Sequence, residues 1–391
     1  MELPIYFDNN ATTAVDPDVL GAMMPYFHKS PGNPGSMGYS FGWEAEEAVE
    51  KGRESAAKLI GASPSEIIFT SCATESINMA LKGMIELNSK KKIHIITVST
   101  EHKAVLETCL YLQKKGSDLT ILPVDNEGLI DLNRLESSIK SNTALIAVML
   151  ANNESGVIQP LKSISKIARN NGALLFCDAT QAVGKIPLSV NELGIDMLAA
   201  SAHKLYGPKG VGALFINKKS ALPEAGSKLP PLMHGGGQEK GLRSGTLNVS
   251  GIAGFGKACD LCLEKATEEF KSIAALKAVL ERSLLEISGS AINGNNSPRL
   301  PNTINISFEN IDAQLLIEAI HKDIAIATGS ACNAESHGPS YVLMAMGLSP
   351  GQIQGSIRIS IGRFNTAEEV RFAANRIKEA ISILRKWKNI S

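Results

Sequence analysis

Ile195-Asp196-Met197-Leu198-Ala199-Ala200-Ser201-Ala202-His203-Lys204-Leu205-Tyr206-Gly207-Pro208-Lys209-Gly210 decides how this chain is read. The apolar run at 195–200 reads as a buried strand, and the Tyr206-Gly207-Pro208 turn signal follows it. A second short apolar run, Val211 to Ile216, comes next. Lys204 is therefore expected on a fixed loop beside a core strand. Desolvation lowers the pKa of such a lysine and frees its amine as a nucleophile toward a carbonyl. A surface loop lysine is the plain alternative, and the rest of the chain has to decide between the two.

Outward from this stretch, short apolar runs alternate with helical patterns. Residues 67–70, 93–98, 119–124, 145–150 and 173–177 read as further strands. Residues 44–60 (ending at Gly61), 74–87, 103–115 and 160–171 read as helices. Runs so spaced predict parallel β/α units with helices on both faces of one sheet. Ligands of such sheets bind beyond the carboxyl ends of the strands, so the informative residues are those just after each run. Near 255–265 the pattern changes, and a long helical stretch from Gly254 to about Ile287 leads away. Beyond it, 302–308, 325–329 and 356–361 read as strands, covered by helices at 312–321 and 366–387. Thr366-Ala367-Glu368-Glu369 fits a capping box, and Val370, Ala373, Ala374, Ile377, Ile381 and Leu384 form an apolar stripe. The expected fold class is α/β, with a large domain at 16–257 around a mostly parallel seven-stranded sheet. A smaller α+β domain at 258–391 is expected to be joined by residues 1–15.

A chain of 391 residues has room for roughly two or three domains and a large core. Its 39 basic side chains balance 39 acidic ones, so no overall field favours nucleic acid or a membrane surface. Met1 to Asp8 carries no basic n-region and no apolar h-region. No apolar run approaches the roughly 20 residues of a membrane span. Six cysteines (72, 109, 177, 259, 262 and 332) lie scattered, mostly in apolar or helical patterns. Reduced thiols in the cytoplasm are expected, not a disulfide framework. Cys259 and Cys262 stand one helical turn apart with no second pair, which makes a poor zinc set.

The residues after the strands carry the chemistry. Ser71-Cys72-Ala73-Thr74-Glu75-Ser76 opens a helix, where unpaired N–H groups and a hydroxyl suit a phosphate. Plain N-capping is the alternative there. Ser99-Thr100-Glu101-His102 places an imidazole at the same edge, and Ala151-Asn152-Asn153-Glu154-Ser155-Gly156 offers amides to an oxyanion. Phe176-Cys177 leads into Asp178-Ala179-Thr180-Gln181. A carboxylate at the end of a buried strand needs a partner. A protonated pyridine nitrogen would be one, and the pairing would make that ring an electron sink. Asp178 stands one β/α unit before Lys204, so both can face one ring. Together they raise pyridoxal phosphate (PLP), bound to Lys204 as a Schiff base, as the candidate cofactor.

Ten short motifs occur together and in order. Seven are Asp8-Asn9-Asn10-Ala11-Thr12-Thr13, Thr74-Glu75-Ser76, Glu101-His102, Ala151-Asn152-Asn153-Glu154, Asp178-Ala179, Ser201-Ala202-His203-Lys204 and His234-Gly235-Gly236-Gly237-Gln238. Arg243-Ser244-Gly245-Thr246, Gly329-Ser330-Ala331-Cys332 and Arg358-Ile359-Ser360 complete the set. It closely resembles the NifS/IscS cysteine desulfurases, which are class V, fold-type I PLP enzymes, from about residue 4 to about 385. Each motif is weak alone, and ten in order are specific. The resemblance implies that Lys204 is the Schiff-base lysine, that Asp178 pairs with the pyridinium nitrogen and that Gln181 bonds the ring hydroxyl. It implies that His102 stacks on the ring and moves protons. Ala73, Thr74, Ser201 and His203 would hold the phosphate, with Thr246 reaching in from a second subunit of a homodimer. Arg358 and Asn153 would bind the carboxylate of L-cysteine, a bidentate task suited to a guanidinium fork.

Cys332 lies among small, polar and Gly/Pro residues from about 328 to 340, a composition that reads as a mobile loop. The resemblance makes it the acceptor of sulfur as a persulfide, which would pass to a sulfur-accepting or iron–sulfur scaffold protein. The other cysteines read as structural. Cys72 departs from the family, which commonly has Gly there, and Thr328 and Asn333 replace commoner small hydroxyl residues. The chain stops soon after its terminal helix, without the longer tail of the housekeeping branch, so the NifS-like branch is expected. Rival readings are a selenocysteine lyase or class V aminotransferase on the same scaffold, and a non-catalytic assembly platform with a vestigial PLP site.

Overall fold

The computed structural model describes residues 2–88, 91–220, 229–328 and 338–388. Seven strands form the principal sheet: β1 (Ile67–Thr70), β2 (His94–Val98), β3 (Asp118–Leu122), β4 (Thr143–Ala147), β5 (Leu174–Asp178), β6 (Met197–Ser201) and β7 (Gly212–Ile216). Their order across the sheet is β1-β7-β6-β5-β4-β2-β3. All neighbours run parallel except β7, which is antiparallel to both β1 and β6. The chain between Ser201 and Gly212 is too short for the helical crossover a parallel return needs, so it doubles back as a hairpin. Gly212 allows a close approach there, since a Cβ would come within 2.7 Å of the Ala200 carbonyl oxygen.

Continuous apolar runs suit strands buried on both faces, and β1, β2, β5 and β6 are buried throughout, whereas the edge strand β3 is largely half-exposed. Alternate residues feed opposite layers. Ile67, Phe69, Ile96 and Val98 belong to the hydrophobic cluster that includes helix Ser40–Ile60, while Ile68 and Ile95 belong to the one on the other face with helices Ala73–Leu87 and Lys103–Lys114. Helix Ser40–Ile60 stops at Gly61, whose φ of 69° suits glycine.

Helix Val249–Leu285 belongs to two cores. Ile252, Phe255 and Leu261 pack with the principal sheet, and Ile273, Leu280 and Leu284 with a second hydrophobic cluster. That second cluster covers a four-stranded antiparallel sheet of β8 (Ser290–Ile292), β9 (Thr303–Phe308), β10 (Ala327–Thr328) and β11 (Ser356–Ser360), ordered β10-β11-β9-β8. Helices Ala313–Ile320 and Ala367–Lys388 close it. The capping box forms as expected, with Glu369 N donating to Thr366 Oγ1 and Thr366 N to Glu369 Oε2. At the N-terminus, Ile5–Tyr6 pairs in parallel with Ile324–Ala325, and the chain then crosses to the principal sheet, where Thr13 N donates to the His203 carbonyl.

Candidate active site

The carboxyl ends of β1, β2, β4, β5 and β6 face one cleft. Nine residues expected from the sequence line it together: Ala73, Thr74, His102, Asn153, Asp178, Gln181, Ser201, His203 and Lys204. The run lengths explain this convergence, because each polar side chain stands between the last residue of its strand and six residues beyond it.

Beyond β6 the chain makes one tight turn at Ala202–Lys204. Lys204 Nζ donates to the carbonyl oxygens of Asn10 and Ala11 at 2.7 and 2.6 Å. His203 Nδ1 lies 3.1 Å from Thr12 Oγ1. Burial, then the nearby charges of Lys204, Lys209 and Lys185, pushes its pKa down to about 4, so the ring is neutral at neutral pH. Asp178 is 4% exposed, and its Oδ1 accepts from Thr180 N at 3.0 Å. His102 caps helix Lys103–Lys114: its Nδ1 accepts from Ala104 N at 3.1 Å, which leaves Nε2 as the ring position able to carry a proton. Its neighbour Glu101 accepts from Met149 N, and burial pushes its carboxyl pKa well up. Glu154 accepts from Ser340 Oγ at 2.5 Å, and burial raises its pKa to about 7.

Three expected residues stand apart from this group. Arg358 is fully buried on β11 but does not line the cleft. One guanidinium nitrogen pairs with Asp8 Oδ1 at 2.7 Å and the other donates to the Asn153 carbonyl at 3.3 Å. Thr246 is exposed and off the cleft. Cys332 lies outside the described residues. Of the remaining cysteines, Cys72 is half-buried on the cleft wall. Cys109, Cys177, Cys259 and Cys262 are buried, and desolvation pushes every one of these four thiols far up in pKa, Cys109 and Cys262 to about 12.

Asn10, Met149 and Thr180 also line the cleft and were not singled out from the sequence. Asn10 matters most. Its carbonyl accepts from Gln181 Nε2 and Lys204 Nζ, and its Nδ2 donates to the Asn153 carbonyl and to Thr303 Oγ1. It thus ties the N-terminal segment to both sheets. The signal available was its place in a polar Asp8-Asn9-Asn10 run directly after an apolar strand.

Fold and cleft define a class: an open α/β protein that gathers a lysine, a carboxylate and an imidazole beyond its strand ends. Within that class, the chain belongs to the aminotransferase class-V family, which matches residues 5–372. It is 46% identical to the cysteine desulfurase IscS of Rickettsia massiliae, over 99% of this chain and 93% of that protein. Identity is also 46% to the mitochondrial cysteine desulfurase of Arthroderma benhamiae, over 98% of this chain and 75% of that one. Among solved structures, a NifS-like protein superposes with a TM-score of 0.90 at 42% identity, covering 97% of this chain and all of the other. SspA in complex with cysteine superposes with a TM-score of 0.81 at 37% identity, over 93% of this chain and all of that one.

Proposed function

We propose that the protein is a PLP-dependent cysteine desulfurase. It converts L-cysteine to L-alanine and moves the sulfur to Cys332 as a persulfide, for iron–sulfur cluster assembly. The observation that carries this reading is the convergence of Lys204, Asp178 and His102 on one cleft, in a chain 46% identical to proteins named cysteine desulfurase.

The cleft's chemistry fits the coenzyme. Asn153 Oδ1, Thr180 Oγ1 and Ser201 Oγ are enclosed on its wall with no partner among the described residues. Leaving such groups unsatisfied costs about 1–3 kcal/mol each, so they call for a polar ligand. Cys72 offers no side-chain cap to helix Ala73–Leu87, which leaves its first N–H groups open to a phosphate beside Thr74, Ser201 and His203. Asp178 would hold a pyridinium proton and Gln181 would donate to the ring hydroxyl oxygen. When bound, PLP supplies an electron sink and a carbonyl that a lysine amine can hold covalently.

This chain's own groups do the rest. The amine of Lys204, once free, removes the α-proton of the substrate. His102, at the cleft, would lie against the ring and could carry a proton at Nε2. Arg358 and Asn153 would orient the substrate carboxylate, for which the Arg358 guanidinium has to turn from Asp8 toward the cleft. The thiolate of Cys332 takes the sulfur. Thr246, exposed on its own subunit, would reach the phosphate of the other subunit in a homodimer. The same reading puts the protein in the cytoplasm, passes the persulfide to a sulfur-accepting or scaffold protein, and divides the chain into a domain at 16–257 and one at 1–15 with 258–391. The two separate hydrophobic clusters support that division.

Mass spectrometry after brief exposure to L-cysteine tests the proposal. One added sulfur atom is expected on Cys332 of the wild type, and none on the Cys332→Ser variant. Sulfur retained by Cys332→Ser would overturn the acceptor. Amino transfer to an α-keto acid with no sulfide would favour an aminotransferase.

A further inference from the structure

Behind the cleft wall stands a second half-buried lysine. This residue, Lys185, follows β5, with its amino group held by two side-chain acceptors. It does not line the cleft. Its Nζ donates to Gln181 Oε1 at 2.6 Å and to Asn10 Oδ1 at 3.0 Å. Burial first, then the charges of Lys204 and Arg358, pushes its pKa well below that of an ordinary lysine.

These contacts settle which end of the Gln181 amide is which. A backbone carbonyl only accepts, so the Gln181 atom 2.9 Å from the Asn10 carbonyl oxygen is the nitrogen Nε2. The other end is the oxygen, and Lys185 donates to it. Asn10 is pinned in the same manner. Its Nδ2 donates to the Asn153 carbonyl at 3.2 Å, leaving Oδ1 to accept from Lys185 and from Asn302 Nδ2 at 3.0 Å. An amide nitrogen has two hydrogens, and the Asn10 carbonyl uses one of Gln181's. Reversing the Gln181 amide would set oxygen against oxygen at Asn10 and donor against donor at Lys185.

We propose that Lys185 is a positioning residue: by holding Gln181 Oε1 from behind, it obliges Gln181 to turn an N–H, and not a carbonyl oxygen, toward the ligand in the cleft. The proposal rests on the PLP reading, in which Gln181 meets the ring hydroxyl oxygen. A donor at that oxygen favours its anionic form, and a weakened donor leaves it holding a proton more tightly. The charged groups that act on Lys185 are Lys204 and Arg358, and neither is altered in the variants below.

The test is a pH titration of the visible absorption band of the PLP-loaded protein. In Lys185→Met the midpoint should rise by about half a unit to one unit, roughly three- to tenfold in proton affinity. In a Gln181→Met background, adding Lys185→Met should move it no further, because a lysine acting through the glutamine has nothing left to hold. A midpoint unmoved by Lys185→Met would overturn the proposal, even if the melting temperature fell. A shift of equal size in both backgrounds would also overturn it, since it would mark a field effect needing no glutamine. Should the methionine variant not fold, Lys185→Gln, too short to reach both acceptors, carries the same expectations. A wild-type protein that develops no band with PLP would instead overturn the coenzyme reading itself.

Discussion

Two regions of the molecule bury polar side chains in opposite ways. Beneath helix Ser40–Ile60, the Arg53 guanidinium meets Glu239 at 2.9 and 2.8 Å and also donates to the Ile67 carbonyl. Phe69 N donates to the same carboxylate, and the guanidinium lies 4.9 Å from the Phe69 ring centre. That cluster closes on itself. At the strand ends the bonding stays open: seven enclosed side-chain atoms lack partners among the described residues, and six belong to the strand ends or to Arg358. Only Ser290 Oγ lies elsewhere. A closed polar cluster can be repaid within the chain, by fixing Glu239 against β1. An open one lowers stability and is repaid only by a ligand.

Equal-sized deletions in the two regions should therefore do different things. The largest expected effect is that of Lys204→Ala, which should abolish the visible band and cut desulfuration at least about a thousandfold, read by absorbance and sulfide release. A variant that kept the band would remove Lys204 from the coenzyme. Next is Glu239→Ala, which removes the buried carboxylate partner of Arg53 and leaves it only the more exposed Glu50 and the Ile67 carbonyl. It should lower unfolding free energy by about 3–5 kcal/mol in denaturant titration, with PLP affinity of the folded fraction little changed. The smallest is Ser201→Ala. Its hydroxyl has no partner to lose, and its enclosure without one costs about 1–3 kcal/mol, so the PLP-free protein should keep its stability or gain up to about that much. The dissociation constant for PLP should rise about fivefold, the worth of one ordinary hydrogen bond. A large loss of stability from Ser201→Ala would erase the contrast between the regions.

Much of the site was legible because it is local. The length of an apolar run sets where its strand ends, so Asp178, Lys204 and His102 could be placed at one sheet edge without knowing the strand order. Run composition likewise separated interior strands from turns, and Gly61 and Thr366 marked helix ends through their own backbone and hydroxyl chemistry. Some boundaries shifted. The ladder of β4 stops at Ala147, while the apolar run continues to Leu150 because Val148 and Leu150 still donate to carbonyls of β5. Burial persists there after regular pairing ends.

Asn10 and Lys185 were not legible for the opposite reason. Asn10 reaches residues 143 to 350 positions away, and no local period or spacing encodes such partners. Arg358 was expected from its motif, yet its pairing with Asp8, 350 residues earlier, was not. The amino-acid order by itself determined the alternation of strand and helix, the two faces of each strand and the reactive groups at the strand ends, since those follow from side-chain volume, polarity and period. Only the folded chain decided which strand ends become neighbours, which way an amide such as Gln181 points and which buried atoms go without a partner. Those outcomes depend on hydrogen-bond donors and acceptors brought together from distant positions, where geometry is set by the whole packing.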